Sequence, residues 1–392
     1  MKPLVSILVP AFNAEEWIAD TLRSAIAQTW ERKEIIVVDD GSTDRTFAVA
    51  QQFESDGVRV IKQANQGAAA TRNKAFSLSQ GDYIQWLDAD DLLAPDKIAR
   101  QMEVLNQCRS TRTLLSGAWG RFFYRYHRAK FVPTGLWCDL SPEEWLLRKL
   151  EQNLFMQTAT WLVSRELTEN AGPWDVRLLS DDDSEYFCRV LLGSDGVRFV
   201  PDAKVFYRIA ARGSLGYVGQ SVEKCEALWR SMRLQIGHVR SLDDGPRVRT
   251  ACVTFLRNWM VFFYPHMSHL VRQAEEMVME LGGQPRVQPL LRYSSIQAAF
   301  EWYLIKRAQL FLSGTTATSI AFRSRGWLPS FLDKALFRIE NHRSRPTEQI
   351  TAQGILARNH PNGEDPVPTS GPKPSGSVSG APSCYALRLP KK

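Results

Sequence analysis

The sequence predicts an α/β protein: a mostly parallel sheet flanked by helices, followed by a mainly helical C-terminal region. Three observations carry this. Over roughly the first 110 residues, apolar runs of strand length alternate with segments whose apolar residues recur at helical spacing. Two of those runs, ending at Val38 and Leu87, stop abruptly in carboxylates, as buried strands do when they deliver polar groups to one sheet edge. After about Gly219 the pattern is mainly helical, with Trp229, Trp259, Trp302 and Trp327 spread among many arginines.

The elements follow in order. Residues 4–9 form a continuous apolar strand. Asn13 can cap a helix with Glu15 and Glu16 in its first turn, and Ile18, Leu22, Ala25 and Ile26 give that helix an apolar face. Residues 34–38 are the second strand, and Gly41-Ser42-Thr43-Asp44 turns into a helix faced by Phe47, Ala50 and Phe53. Residues 58–61 are the third strand, and Gly67 opens a small-residue helix. Residues 83–87 are the fourth, and Pro95 suits the first position of a helix carrying Ile98, Met102 and Leu105. Residues 112–150 are aromatic and basic and read as strands with a variable loop. Residues 159–163 return as a strand, Ser164 can cap a short helix ended by Gly172-Pro173, and 181–192 is a further helix. Residues 197–200 and 204–209 read as two late strands.

Composition bounds the function classes. The six cysteines (Cys108, Cys138, Cys188, Cys225, Cys252, Cys384) form no CxxC pair, which argues against a zinc site or a disulfide framework and fits a reducing cytoplasm. No signal peptide is expected ahead of the first strand, and no stretch reaches ~18 uninterrupted apolar residues, so no membrane span is predicted. The net charge is +7, and residues 220–345 hold 18 Lys/Arg against 10 Asp/Glu. That excess implies an acidic partner, either an anionic membrane surface or a phosphorylated substrate. Without zinc-finger spacing or an RNA-binding aromatic signature, nucleic acid is not the expected partner. Residues 322–339 mix bulky apolar and basic residues. A helix packed on the protein is favoured there over an interfacial membrane helix, because Gly326 and Pro329 interrupt the periodicity. Beyond Arg345 the chain is rich in Pro, Gly and Ser and reads as disordered. The expected organisation is thus 1–219, 220–344 and a tail at 345–392.

The chemistry concentrates in acids. Asp88-Ala89-Asp90-Asp91 places three carboxylates within four positions, where they repel unless a cation sits among them. Such oxygen-rich sites suit hard divalent ions that bridge protein to substrate phosphates. Asp39-Asp40-Gly41-Ser42 brings acids to the same edge, where a carboxylate can accept from a base N–H or from ribose hydroxyls. No G-x-G-x-x-G follows the first strand, which excludes a dinucleotide oxidoreductase of the usual type. Pro10-Ala11-Phe12-Asn13-Ala14 is not the Gly-rich turn of a nucleotidyltransferase.

Taken together, Val5-Ser6-Ile7-Leu8-Val9-Pro10-Ala11-Phe12-Asn13, then Ile35 through Asp44, Asn65-Gln66-Gly67 with Arg72-Asn73, and Gly81 through Asp91 resemble a family-2 glycosyltransferase of the GT-A fold. The likeness extends over about the first 210 residues. It implies that Pro10, Phe12, Asn13 and Asp40 bind the nucleotide, that Arg72 lies near the diphosphate or ribose, and that Asp88 and Asp90 hold Mg²⁺ or Mn²⁺. The family's base sits in an acidic pair at a helix start, followed by an aromatic residue and Arg. Counting back from Arg189 aligns that pair with Asp182-Asp183, with Asp183 the base candidate and Asp182 the alternative. The neighbouring Asp181 leaves the register open by one.

The resemblance implies a metal-dependent, inverting transfer of one sugar from a nucleotide-diphosphate sugar, a UDP-sugar being favoured, to an acceptor hydroxyl. No Gln-x-x-Arg-Trp motif of processive members is present. The expected acceptor is a glycan or lipid-linked molecule of cell-surface polysaccharide or glycolipid synthesis. The expected location is the cytoplasm, peripheral at the inner face of the plasma membrane. The alternative is a non-catalytic nucleotide-sugar or membrane-surface binding protein on the same fold.

Overall fold

In the computed structural model, residues 2–108, 110–209, 221–263 and 267–284 are described. The segment 322–339 and the tail 345–392 lie outside them. In chain order the elements are β1 (Val5–Ala11), α1 (Ile18–Ile26), β2 (Lys33–Asp39), α2 (Thr46–Gln51), β3 (Val58–Lys62), α3 (Ala68–Leu78), β4 (Tyr83–Trp86), β5 (Leu92–Leu93) and α4 (Lys97–Leu105). There follow β6 (Thr113–Phe122), β7 (Lys130–Phe131), α5 (Pro142–Gln152), β8 (Val163–Ser164), α6 (Arg165–Ala171), α7 (Asp182–Gly193), β9 (Gly196–Arg208), α8 (Val222–Leu242), α9 (Pro246–Trp259) and α10 (Ser268–Glu280).

The first sheet has the order β3-β2-β1-β4-β8, parallel except for β8. β1 is apolar apart from Ser6 because it is central: Val5, Ile7, Leu8 and Val9 have no exposed surface. The chain leaves β1 toward β2 and β3 on one side and returns to β4 on the other. The crevice outside the carboxyl ends of β1 and β4 is therefore the topological switch point, where open α/β sheets bind ligands. In register, Ala11 lies beside Asp39 and Leu8 beside Trp86, so the acids after β2 and β4 emerge at one edge. A second sheet, β5-β9-β6-β7, extends this edge. One apolar cluster runs from the first sheet through Tyr186, Phe187 and Leu191 of α7 into α8, α9 and α10.

Several local expectations are corrected. Asn13 does not cap α1: its backbone is left-handed (φ 48°) and the helix begins only at Ile18. Pro95 does not start α4: it lies in a turn closed by Lys97 N–H to Ala94 O at 3.0 Å, and the helix begins at Lys97. Residues 159–163 are mostly not strand; Gln157 accepts from Ala159 N–H and folds 158–160 into a 3₁₀ turn, leaving two residues to pair with β4. The two late strands are one, β9, whose pairing with β6 shifts register between Gly117 and Trp119. A Cβ on Gly117 would stand 2.1 Å from Ala203 O, so only glycine fits where the strands crowd. Where the pattern of residues 112–150 predicts strands and a loop, the chain also forms a helix, α5. Its signal was present: Ser141 accepts from Glu144 N–H at 3.2 Å, Pro142 opens the helix, and Glu143 and Glu144 fill the first turn.

Candidate active site

The loops after β1 and β2 are tied to each other. Asn13 Oδ1 accepts from Thr43 N–H at 2.9 Å, and Asn13 N–H donates to Ser42 Oγ at 2.9 Å. Phe12, between Ala11 and Asn13, is 49% exposed; it projects from the edge and is not core. Pro10 lies beside Val38 at the same end of the sheet. The buried Asp40 carboxylate accepts from Gln66 N–H (2.9 Å), Gly67 N–H (2.8 Å) and Gln63 Nε2 (2.8 Å). It thereby fixes the loop entering α3. That loop needs its glycines: Gly67 has φ +90°, and a Cβ on Gly41 (φ +70°) would lie 2.9 Å from Asn65 N. Asp39 is also buried; one oxygen accepts from Ser42 N–H at 3.2 Å, and Oδ1 has no partner among the described residues.

The acids of β4 and α7 meet around one cation. Arg72 on α3 is buried, not on the surface. Its guanidinium donates to Asp88 Oδ1 at 2.9 Å and to Asp182 Oδ2 at 2.7 Å, and lies 4.4 Å from the Trp174 ring centre. Asn73 clamps Trp174 beneath it through both backbone groups, at 2.8 and 2.9 Å. Burial works against the Arg72 charge, but Asp182 and Asp88 more than offset it and its pKa is raised.

Asp88, Asp90 and Asp91 have three different fates. Asp88 shares one oxygen with Arg72. Asp91 is fully buried and accepts from Arg208 N–H at 2.8 Å and Gln157 Nε2 at 2.5 Å, so it joins the β4 turn to the end of β9 and caps no helix. Asp90 receives Arg208 Nε on its backbone carbonyl at 2.8 Å, while no side chain donates to its carboxylate among the described residues and only its own N–H lies against it. Burial, then Asp88, pushes the Asp90 carboxyl up to about 6.

The three aspartates before Ser184 are likewise sorted. Asp181, with φ 57°, accepts from Ser231 Oγ and Gln235 Nε2 of α8. Asp182 pairs with Arg72. Among the described residues, Asp183 accepts from Thr158 Oγ1 (3.3 Å) and from Ser184 N–H (2.8 Å). Burial, then the charges of Asp181 and Asp182, pushes Asp183 up to about 7, with Arg72 opposing. Among the described residues, Asp183 is thus the acid of the three to which no cationic or amide side chain donates.

The site fits a hard divalent cation in one limited way. No group of three or more His, Cys, Asp or Glu side chains is arranged as a metal cage among the described residues. Asp88 has one oxygen bound to Arg72, and no other side chain donates to Asp88 or Asp90 among the described residues, which leaves oxygens for an ion that takes one or two carboxylates plus phosphates and water. Sequence reading found Arg72, Asp88, Asp90, Asp182 and Asp183, and the structure gathers Arg72, Asp88, Asp182 and Asp183 together. Four partners come from elements distant in sequence: Thr158 on Asp183, Trp174 on Arg72, Gln157 on Asp91, and Arg208 on Asp91 and the Asp90 carbonyl. Only Trp174 had a cue, following the predicted Gly172-Pro173 helix stop.

Residues 6–170 match the family described as Glycosyl transferase family 2. The TuaG glycosyltransferase of Bacillus subtilis, provisionally assigned to teichuronic acid biosynthesis, is 43% identical over 107 residues, 26% of this chain and 42% of TuaG. An uncharacterized glycosyltransferase of Rickettsia typhi is 28% identical over 268 residues, 67% of this chain and 80% of that protein. The chain thus spans under half of TuaG. Among solved structures, S. aureus TarS 1–349 in complex with UDP-GlcNAc is similar with a TM-score of 0.58 at 18% identity, over 71% of this chain and 81% of that one. With the matched motifs and the GT-A architecture both present, residues 6–170 form a segment of the glycosyl transferase family 2 type within this chain.

Proposed function

We propose that the protein is a metal-dependent, inverting glycosyltransferase that moves one sugar from a nucleotide-diphosphate sugar to an acceptor hydroxyl. One observation carries this reading most directly. Arg72 lies within 2.9 Å of both Asp88 and Asp182, so the acids that would face the donor diphosphate and those that would face the acceptor form one cluster.

In this reading Asp88 and Asp90 would hold Mg²⁺ or Mn²⁺, which supplies charge to stabilise the departing diphosphate. Asp183, ionised, takes the proton of the acceptor hydroxyl as its oxygen attacks the anomeric carbon. The new C–O bond forms on the face opposite the breaking C–O bond. The electron pair leaves with the nucleoside diphosphate, and the configuration inverts. Asp183 bound to Thr158 and raised to about 7 is poised for that role near neutral pH. Arg72 holds Asp182 and Asp88 in place beside it. Pro10, Phe12 and Asn13 would line the base, with Asp40 ordering the loop behind it.

The UDP-GlcNAc complex of TarS makes a UDP-sugar the first donor to try. The teichuronic acid assignment of TuaG favours a cell-surface polysaccharide or glycolipid acceptor. No helix among the described residues is long and apolar enough to cross a membrane. The basic excess after Gln220 suits a peripheral position at the inner face of the plasma membrane.

The test is turnover of a nucleotide-sugar panel by the purified protein, with and without Mn²⁺, followed by product analysis with cell extract. Metal-dependent release of nucleoside diphosphate supports the reading. Donor binding without turnover would leave a binding protein on the same fold, and neither binding nor turnover sinks both readings.

A further inference from the structure

Three chemically identical side chains, Asp181, Asp182 and Asp183, stand in a row at the start of α7, and something must decide which one faces Arg72. The decision is made from outside the family-matched segment, by α8. Ser231 Oγ lies 2.8 Å from both the Asp181 carbonyl and its Oδ2, and Gln235 Nε2 donates to the same Oδ2 at 2.7 Å. Ser231 and Gln235 are buried, at 0% and 1% exposure. Lys149 Nζ of α5, itself buried, donates to Gln235 Oε1 at 2.5 Å, which leaves the Gln235 amide nitrogen turned toward Asp181.

Asp181 occupies a left-handed backbone conformation, uncommon for a non-glycine residue and tolerated best by Asp and Asn. That residue reverses the chain into α7, so its position fixes where Asp182 and Asp183 begin. We propose that Ser231 and Gln235 are positioning residues that set the register of the triple aspartate, leaving Asp182 to Arg72 and Asp183 to the acceptor. Without them a slip of one residue offers Asp181 or Asp183 to Arg72 and takes the base out of place. A displacement of about 1 Å at a reacting group can lower turnover by about 100-fold. The assignment of Asp183 as base rests on the function proposed above; the anchoring itself does not.

The experiment uses the full chain carrying Ser231→Ala, Gln235→Leu, the pair together, and Ser231→Thr as the conservative control. Two readouts are taken. The first is hydrogen exchange of the 181–185 amides by mass spectrometry. The second is kcat and KM for UDP release from UDP-GlcNAc, or from whichever panel donor the wild type turns over. The double variant is expected to exchange at least about tenfold faster at 181–185, with α4 unchanged. Its kcat should fall about 10- to 100-fold with donor KM within about twofold, and Ser231→Thr should keep most of kcat. Unchanged exchange at 181–185 overturns the proposal, as does a loss that appears in KM alone or only as a lower melting temperature. If the wild type turns over no donor, the proposed function fails, and the exchange measurement still decides whether α8 sets this register.

Discussion

Arg72 of α3 and Asp182 of α7, 110 positions apart in sequence, meet at 2.7 Å. The bond joins the family-matched segment, which ends at residue 170, to a helix beyond it. The same guanidinium reaches Asp88, and its side chain is only 5% exposed. Removing one partner of a buried ionic cluster leaves the others charged and unpaired, at a cost of about 3 kcal/mol. Arg72→Met should therefore lower stability by about 3 kcal/mol in urea denaturation at pH 7. Adding Asp182→Asn should recover part of that loss, since one stranded charge is gone. A loss below about 1 kcal/mol would mean that the cluster contributes little to the fold.

Asp183 makes a paired prediction about rate and stability. Its carboxyl is raised to about 7, so the ionised base, and with it kcat/KM, should increase as pH rises through about 7. Stability runs the other way. A carboxyl whose folded pKa exceeds its unfolded value contributes fully below the unfolded pKa, near 4, and its contribution is lost as pH rises toward 7. Asp183→Asn should thus abolish transfer, keep donor binding, and be more stable than wild type at pH 8 by on the order of 1–2 kcal/mol. Near pH 4 the two proteins should melt together. Near-wild-type turnover would move the base elsewhere, first to Asp182.

The sheet was legible because its strands are continuous apolar runs bounded by turn residues, and residues 5–9, 34–38 and 83–86 fall inside observed strands. The acids were legible because they break those runs. What the sequence hid was partnership. Nothing local says that Arg72, on a helix of small residues, is buried between two carboxylates, or that Asp40 turns inward onto its own loop. β9 was split in two because Pro201 and Asp202 look like a break, whereas the strand continues past a register shift. The capping signal of α5, Ser141 followed by Pro142, is set in aromatic and basic surroundings whose pattern resembles strand and loop.

Asp40 separates positioning from contact. Three donors from residues 63–67 fill its carboxylate, so Asp40→Ala strands buried N–H groups and should cost about 2–4 kcal/mol. Asp40→Asn retains one acceptor oxygen and should cost less. UDP affinity, measured by calorimetry, should weaken in step with the disorder of that loop, about tenfold for the alanine variant. An alanine variant as stable as wild type, with affinity alone reduced, would instead make Asp40 a direct ligand of the base.

Asp90 and Asp91 are adjacent acids with opposite expected behaviour. Asp91 is saturated by Arg208 N–H and Gln157, and its burial holds two elements together. Asp91→Ala should therefore destabilise the protein by about 2–3 kcal/mol, whether or not metal is present. Asp90 has a carboxylate to which no other residue donates among the described residues, so Asp90→Ala should leave the melting temperature of the metal-free protein within about 2 °C of wild type. Its effect should appear only with the cation: Mn²⁺ should strengthen UDP-GlcNAc binding to the wild type, and Asp90→Ala should remove most of that gain, at least about tenfold. Equal Mn²⁺ dependence in wild type and Asp90→Ala would take Asp90 out of the metal site. Asp88 would then remain the one acid of the β4 turn with an oxygen to offer.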